Sequence, residues 1–184
     1  MGMLRIIAGQ WRHRLLKVPP SSMTRPTTDR TREALFNILI HSYGFEFEGK
    51  IVADLFAGSG ALGLESLSRG ASCVYFFEKD PRVLSILIDN IQSLNAGEKS
   101  RLIKTNLPVL PAALQPLDLV FLDPPYQQAL VEPSCEALQV QGWLKPETLL
   151  CIETSLQDKP EKLRQFRIDQ QRVYGHTVIT FCRP

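Results

Sequence analysis

No apolar stretch in the sequence approaches the roughly 20 residues that cross a bilayer as a helix. Met1 to Ile7 lacks the long apolar core and small-residue cleavage site of a secretory signal. Cysteine is scarce, with four residues at 73, 135, 151 and 182 and no C-x-x-C spacing. That excludes a disulfide framework and the usual zinc clusters, and a reducing cytoplasm is the expected setting. His13, His41 and His176 are scattered, with no carboxylate or cysteine at ligand spacing, so no metal site is expected. No repeat and no low-complexity tract is visible. Apolar residues at 44% and charged residues at 22% exclude a wholly disordered chain, and 184 residues suit one domain with a small appendage.

A strong net charge is also missing, but the value of +2 conceals a polarity. Residues 1 to 32 hold seven Lys/Arg and a single acid, Asp29, while the remainder carries 14 Lys/Arg against 18 Asp/Glu. A basic arm on a mildly acidic body suits a phosphate-rich partner at one end, although a merely solvated basic face reads the same way. Within the arm, Leu4 to Ala8 and Leu15 to Val18 read as a hairpin. Pro19-Pro20-Ser21-Ser22 reads as a linker. A helix is predicted from about Arg30 to Ser42, with Ala34, Leu35, Ile38 and Leu39 on its apolar face.

From residue 50 the pattern alternates between strand and helix. Strands are predicted at Ile51 to Phe56, Cys73 to Phe77, Arg101 to Lys104, Leu117 to Leu122 and Leu149 to Glu153. Helices are predicted at Leu62 to Ser68, Pro81 to Leu94, Val109 to Leu114 and 129 to 140. Two closing strands, Phe166 to Tyr174 and Thr177 to Phe181, meet at Gly175-His176. Such alternation implies βαβ units, a parallel sheet and an antiparallel closing pair.

Two places carry chemistry. Gly58, Gly60 and Gly63 form G-x-G-x-x-G between a strand and a helix, and Glu78 follows 20 residues after Gly58 at the end of the next strand. Glycine permits a tight turn and close approach of backbone to ligand, and the carboxylate can accept from ribose hydroxyls. A nucleoside-containing cofactor is implied. NAD fits the glycines. Asp54 favours a methyl-donor cofactor instead, because a carboxylate repels pyrophosphate and suits an amine and a sulfonium. The second place is Asp123-Pro124-Pro125-Tyr126 at the end of a strand. Prolines remove backbone donors and leave carbonyl acceptors, Asp123 adds a carboxylate, and Tyr126 adds a stacking ring. Acceptors beside a ring suit a planar group bearing an NH2, such as a nucleobase. Trp143 reads as core or loop anchor, and Ser59 as a turn residue rather than a nucleophile.

Asp54 to Gly63 resembles the cofactor motif of Rossmann-like S-adenosylmethionine-dependent methyltransferases, and Asp123 to Tyr126 resembles the motif of those that methylate amino nitrogens. The N-terminal block narrows the likeness. Arg5-Ile6-Ile7-Ala8-Gly9, Arg14-Leu15-Leu16 and the run Arg25 to Asn37 are similar to the RsmD family of bacterial 16S ribosomal RNA guanine-N2 methyltransferases. The likeness extends to Gly142-Trp143-Leu144 and Glu153. It departs from the family pattern at Ala8, His13 and Asn106.

The resemblance implies a mostly parallel seven-stranded α/β sheet with an antiparallel C-terminal strand and helices on both faces. A basic hairpin extension over residues 1–24 precedes a methyltransferase domain over 25–184. It implies S-adenosylmethionine held by Asp54, Phe56, Ala57, Gly58, Ser59, Gly60, Glu78, Lys79, Asn106 and Asp123. It implies catalysis by Asp123, Pro124, Pro125 and Tyr126, and contacts to 16S ribosomal RNA, within the small subunit or an assembly intermediate, from Arg5, Arg12, Arg14, Arg25, Thr27, Arg30 and Arg32. A cytoplasmic monomer without metal or membrane partner is expected. The alternative reading of the proline loop is a methyltransferase for DNA adenine or protein glutamine, and the basic arm favours nucleic acid over protein.

Overall fold

A computed structural model of the chain describes residues 3–20, 29–125 and 129–184. The hairpin forms from β1 (Met3–Arg5) and β2 (Leu15–Lys17), paired antiparallel, with Leu4 opposite Leu16 facing inward. Helix α1 (Asp29–His41) follows. The body then runs β3 (Ile51–Leu55), α2 (Ala61–Ser68), β4 (Cys73–Glu78), α3 (Pro81–Ser93), β5 (Ser100–Lys104), β6 (Leu119–Leu122), α4 (Val131–Val140), β7 (Leu149–Ser155), β8 (Arg167–Tyr174) and β9 (Thr177–Arg183). Pro81 opens α3, where its missing N–H costs nothing, and the Asp80 side chain caps the helix by accepting from Arg82 N.

The main sheet has the order β5-β4-β3-β6-β7-β9-β8. Strands β3 to β7 are parallel neighbours, and β9 runs antiparallel between β7 and β8. This is the expected Rossmann-like sheet. Buried on both faces, its inner strands are nearly continuous apolar runs such as Leu119-Val120-Phe121-Leu122. One face packs α1, α2, α3 and the hairpin through Phe36, Leu39, Leu64, Leu87 and Phe121, with Ile6 and Leu16 of the hairpin in the same cluster. The other face packs α4 through Leu138, with Leu107, Leu110 and Trp143. The Trp143 indole is buried and donates to Pro111 O at 2.9 Å, so it anchors a loop from within the core.

Two expectations need correction. Val109 to Leu114 is not a helix but irregular chain. Pro111 disfavours helical backbone at Leu110, the residue before it, and Val109 and Leu114 face solvent while Leu110 is buried. In α1 the buried face comprises Arg32, Leu35, Phe36 and Leu39, whereas Ala34 and Ile38 are half-buried. The stripe is therefore rotated by about one position, and an arginine lies on it.

Candidate functional site

Parallel pairing in register brings the strand ends to one edge. Leu55 pairs with Phe77 on one side and Leu122 on the other, and Glu78 pairs with Lys104. From β3 the chain builds outward through β4 and β5 and then returns to place β6 on β3's other side. That reversal opens a crevice at the carboxyl edge between β3 and β6, where open α/β sheets bind ligands. Along this edge stand Asn106 after β5, Glu78 on β4, the glycine turn after β3, Asp123 after β6 and Glu153 on β7. With strands about 4.8 Å apart, the row spans about 19 Å.

The glycine turn is strained and heavily anchored. Phe56, Gly58 and Gly60 all adopt left-handed backbone, with φ of 62°, 56° and 79°. Ala57 N donates to Phe77 O at 3.0 Å, and Gly60 N donates to Ala57 O at 2.7 Å. Gly58 N donates to Glu78 Oε2 at 3.1 Å. The other oxygen of Glu78 accepts from Lys79 N and Asp80 N at 2.8 and 2.9 Å. Three backbone donors thus orient this half-buried carboxylate while each oxygen keeps acceptor capacity. A Cβ on Gly58 would meet only Phe56 O at 3.9 Å, so the backbone there faces open space. A Cβ on Gly63 would lie 2.3 Å from the Phe76 ring, so that glycine serves helix-to-sheet packing. Ser59 and Ala57 are buried within the turn, and Lys79 is exposed beside it.

Asp54 lies beneath the turn, buried, with Oδ2 accepting from Gly63 N at 2.9 Å. Burial pushes its carboxyl up to about 7, the Gly63 bond pulls the other way, and Glu78 adds to the rise. Its observed work is to hold the start of α2. Asp123 is half-buried at the end of β6, followed by buried Pro124 and exposed Pro125. Desolvation, then the neighbouring Glu153 and Asp54 carboxylates, hold the Asp123 carboxyl well above the usual range. Three acids crowded at one edge repel one another and favour a cationic ligand. Asn106 is exposed after β5. Tyr126, Arg25 and Thr27 lie outside the described residues.

The basic arm is not one surface. Arg5 pairs with Asp29 at 3.0 Å, and Arg30 is exposed on the first turn of α1. Arg12 is exposed, and Arg14 donates to Ser93 O at 2.7 Å, at the last turn of α3. Gln10 N donates to Ser68 O, at the last turn of α2. The hairpin therefore docks on the C-terminal ends of α2 and α3. Arg32 departs from its expected role. It is 1% exposed, with Nη2 donating to Arg5 O and Asp29 Oδ1, both at 2.8 Å. A guanidinium so enclosed cannot reach phosphate; it ties α1 to the hairpin.

Two buried polar residues in this region, Glu65 and Asn90, have no counterpart among the expected site residues. Glu65 accepts from Ile7 N at 2.7 Å, Ala8 N at 3.0 Å and Arg69 Nε at 2.7 Å, fastening the hairpin to α2. Each stands where helical spacing calls for an apolar residue, and that mismatch is the available signal. Among the described residues no three His, Cys, Asp or Glu side chains gather as metal ligands, and no helix is long and apolar enough to cross a membrane.

Comparison with known proteins agrees with this geometry. The family model described as "Conserved hypothetical protein 95" matches residues 4–183. The chain is 42% identical over 179 residues to the ribosomal RNA small subunit methyltransferase D of Escherichia coli strain K12, covering 96% of this chain and 88% of that protein. It is 44% identical over 163 residues to the protein of the same name from Haemophilus influenzae, covering 86% and 82%. A solved Escherichia coli methyltransferase structure superposes with a TM-score of 0.84 at 38% identity, covering 99% of this chain and 98% of the other. With likeness over almost the whole length, and the glycine turn and Asp-Pro-Pro loop facing one crevice, the chain belongs to the ribosomal RNA small subunit methyltransferase D family.

Proposed function

We propose that this protein transfers a methyl group from S-adenosylmethionine to the exocyclic N2 of a guanine in 16S ribosomal RNA. The observation that carries the reading is the pairing, across one crevice, of an oriented Glu78 and open glycine turn with the acceptor loop at Asp123. The donor set fits the cofactor. Glu78 offers acceptor oxygens to a ribose, Gly58 leaves room for a close approach while Gly60 packs against Leu87, and Asn106 stands at the β5 end for the adenine amino group. Phe56, Ala57, Ser59 and Lys79 line the turn around them. The crowded acids Asp54, Asp123 and Glu153 suit a positive charge.

When bound, S-adenosylmethionine supplies a methyl group already activated by its sulfonium. The protein's part is placement, and orientation can contribute on the order of 7–11 kcal/mol. The N2 lone pair of guanine is delocalised into the ring. Asp123 and the Pro124 carbonyl accept the N–H bonds and aim the lone pair, and the stiff Pro124-Pro125 backbone fixes both acceptors. Tyr126 stacks on the base. Exposing a base from folded RNA costs a few kcal/mol. Arg5, Arg12, Arg14, Arg25, Thr27 and Arg30 offset that through phosphate contacts, with residues 1–24 as a basic arm on a catalytic domain over 25–184.

The test is radiolabelled methyl transfer to ribosomal RNA and to small subunits from cells lacking the gene, followed by nucleoside analysis. N2-methylguanosine in 16S RNA is the expected product. Methylated adenine, or label absent from both substrates, would overturn the reading.

A further inference from the structure

Asn90 occupies the buried face of α3 with Val83, Leu87 and Ile91, at 1% exposure. A carboxamide belongs on such a face only if its polar atoms are bonded. Here they are. Oδ1 accepts from Lys17 N at 2.9 Å, and Nδ2 donates to Lys17 O at 2.9 Å and to Ser59 O at 2.9 Å. Lys17 lies on the hairpin strand β2, and Ser59 lies inside the strained glycine turn. One buried side chain therefore grips the N-terminal hairpin with both ends and the cofactor turn with one. The turn is held from the β4 side by Phe77 O and Glu78 and from below by Asp54. Asn90 supplies its hold from the α3 side, and the left-handed backbone of Phe56, a non-glycine, is a conformation that its surroundings must hold in place.

We propose that Asn90 is a positioning residue for methyl transfer, coupling the hairpin to the cofactor turn so that each steadies the other. The proposal rests on the reading of the turn as an S-adenosylmethionine site. Coupling of this kind is reciprocal: whatever fixes the turn must also quiet the hairpin strand. Leucine in place of Asn90 would suit the apolar face yet leave Lys17 and Ser59 without their partner. The carboxamide is thus specified by the two segments it joins and not by the helix that carries it.

Hydrogen exchange and calorimetry on the full chain test this. In the wild type, saturating S-adenosylmethionine should slow exchange at the Lys17 amide about fivefold or more. An unchanged Lys17 rate with the cofactor bound overturns the coupling. Asn90→Leu should weaken cofactor binding about tenfold and speed exchange at Lys17 and Gly60 together. Asp89→Ala, which removes only the exposed pair to Lys17 Nζ, should move neither. A purely structural Asn90 would lower Tm in the leucine variant while leaving its cofactor affinity at the wild-type value, which also overturns the proposal. If the leucine variant does not fold, the cofactor-dependent Lys17 rate of the wild type decides. If the wild type binds no S-adenosylmethionine, the functional reading fails separately. Exchange in ligand-free Asn90→Leu then decides the coupling: a joint rise at Lys17 and Gly60 supports it, and a rise at Lys17 alone overturns it.

Discussion

The two halves of the carboxyl edge are built in opposite ways. On the β3–β4 half, backbone donors are already spent on fixed acceptors: Glu78 holds Gly58, Lys79 and Asp80, and Asp54 holds Gly63. On the β6 half, Pro124 and Pro125 carry no N–H, and the Asp123 carboxyl is desolvated beside two other acids. The first half is finished before any ligand arrives. Among the described residues, the second presents carboxylate and carbonyl acceptors. The contrast separates a side whose bonds are set from within the fold from a side that presents acceptors outward.

Substitutions can break that contrast. The largest effect belongs to Asp123→Ala, expected to slow single-turnover methyl transfer about a thousandfold while cofactor affinity changes only a few-fold. Wild-type single-turnover rates would sink the acceptor role. Glu78→Ala should act on the other half, weakening cofactor binding roughly 10- to 100-fold in calorimetry. If instead it spared affinity and slowed only the chemical step, the two halves would have been assigned the wrong way round.

A pH measurement sharpens the comparison further. The Asp54 carboxyl titrates at about 7 in the folded chain, against about 4 when unfolded. Between those values the folded chain binds the extra proton, so this group's contribution to stability falls as pH rises from about 4 to 7. Asp54→Asn keeps an acceptor for Gly63 N and removes that dependence. Its urea midpoint should decline less than the wild type's between pH 5 and 7; parallel declines would show that Asp54 ionises normally. The smallest effect is expected at Arg12→Glu, which should weaken RNA binding a few-fold and flatten its salt dependence. An unaltered salt slope would remove the hairpin tip from the RNA contact.

Much of this was legible in the residues. Alternating apolar runs, Pro81 after Asp80, and the glycines between Leu55 and Leu62 located the strands, α3 and the turn. Register then brought Glu78 and Asp123 to one edge, as any parallel sheet of these strands would. Three things were not legible. The segment at 109–114 looks helical by composition, and Pro111 decides against it. Charge groups Arg32 with its basic neighbours, although its spacing from Leu35, Phe36 and Leu39 puts it on the inner face. Glu65 and Asn90 form bonds to the hairpin and the turn across 31 to 73 residues of sequence. No local pattern names such partners, and only the polar interruption of an apolar stripe marks the positions.

Gly9 lies so close to the end of α2 that a Cβ there would sit 1.8 Å from Ser68 O. A side chain at that position would therefore pry the finger it belongs to off the flank of the body.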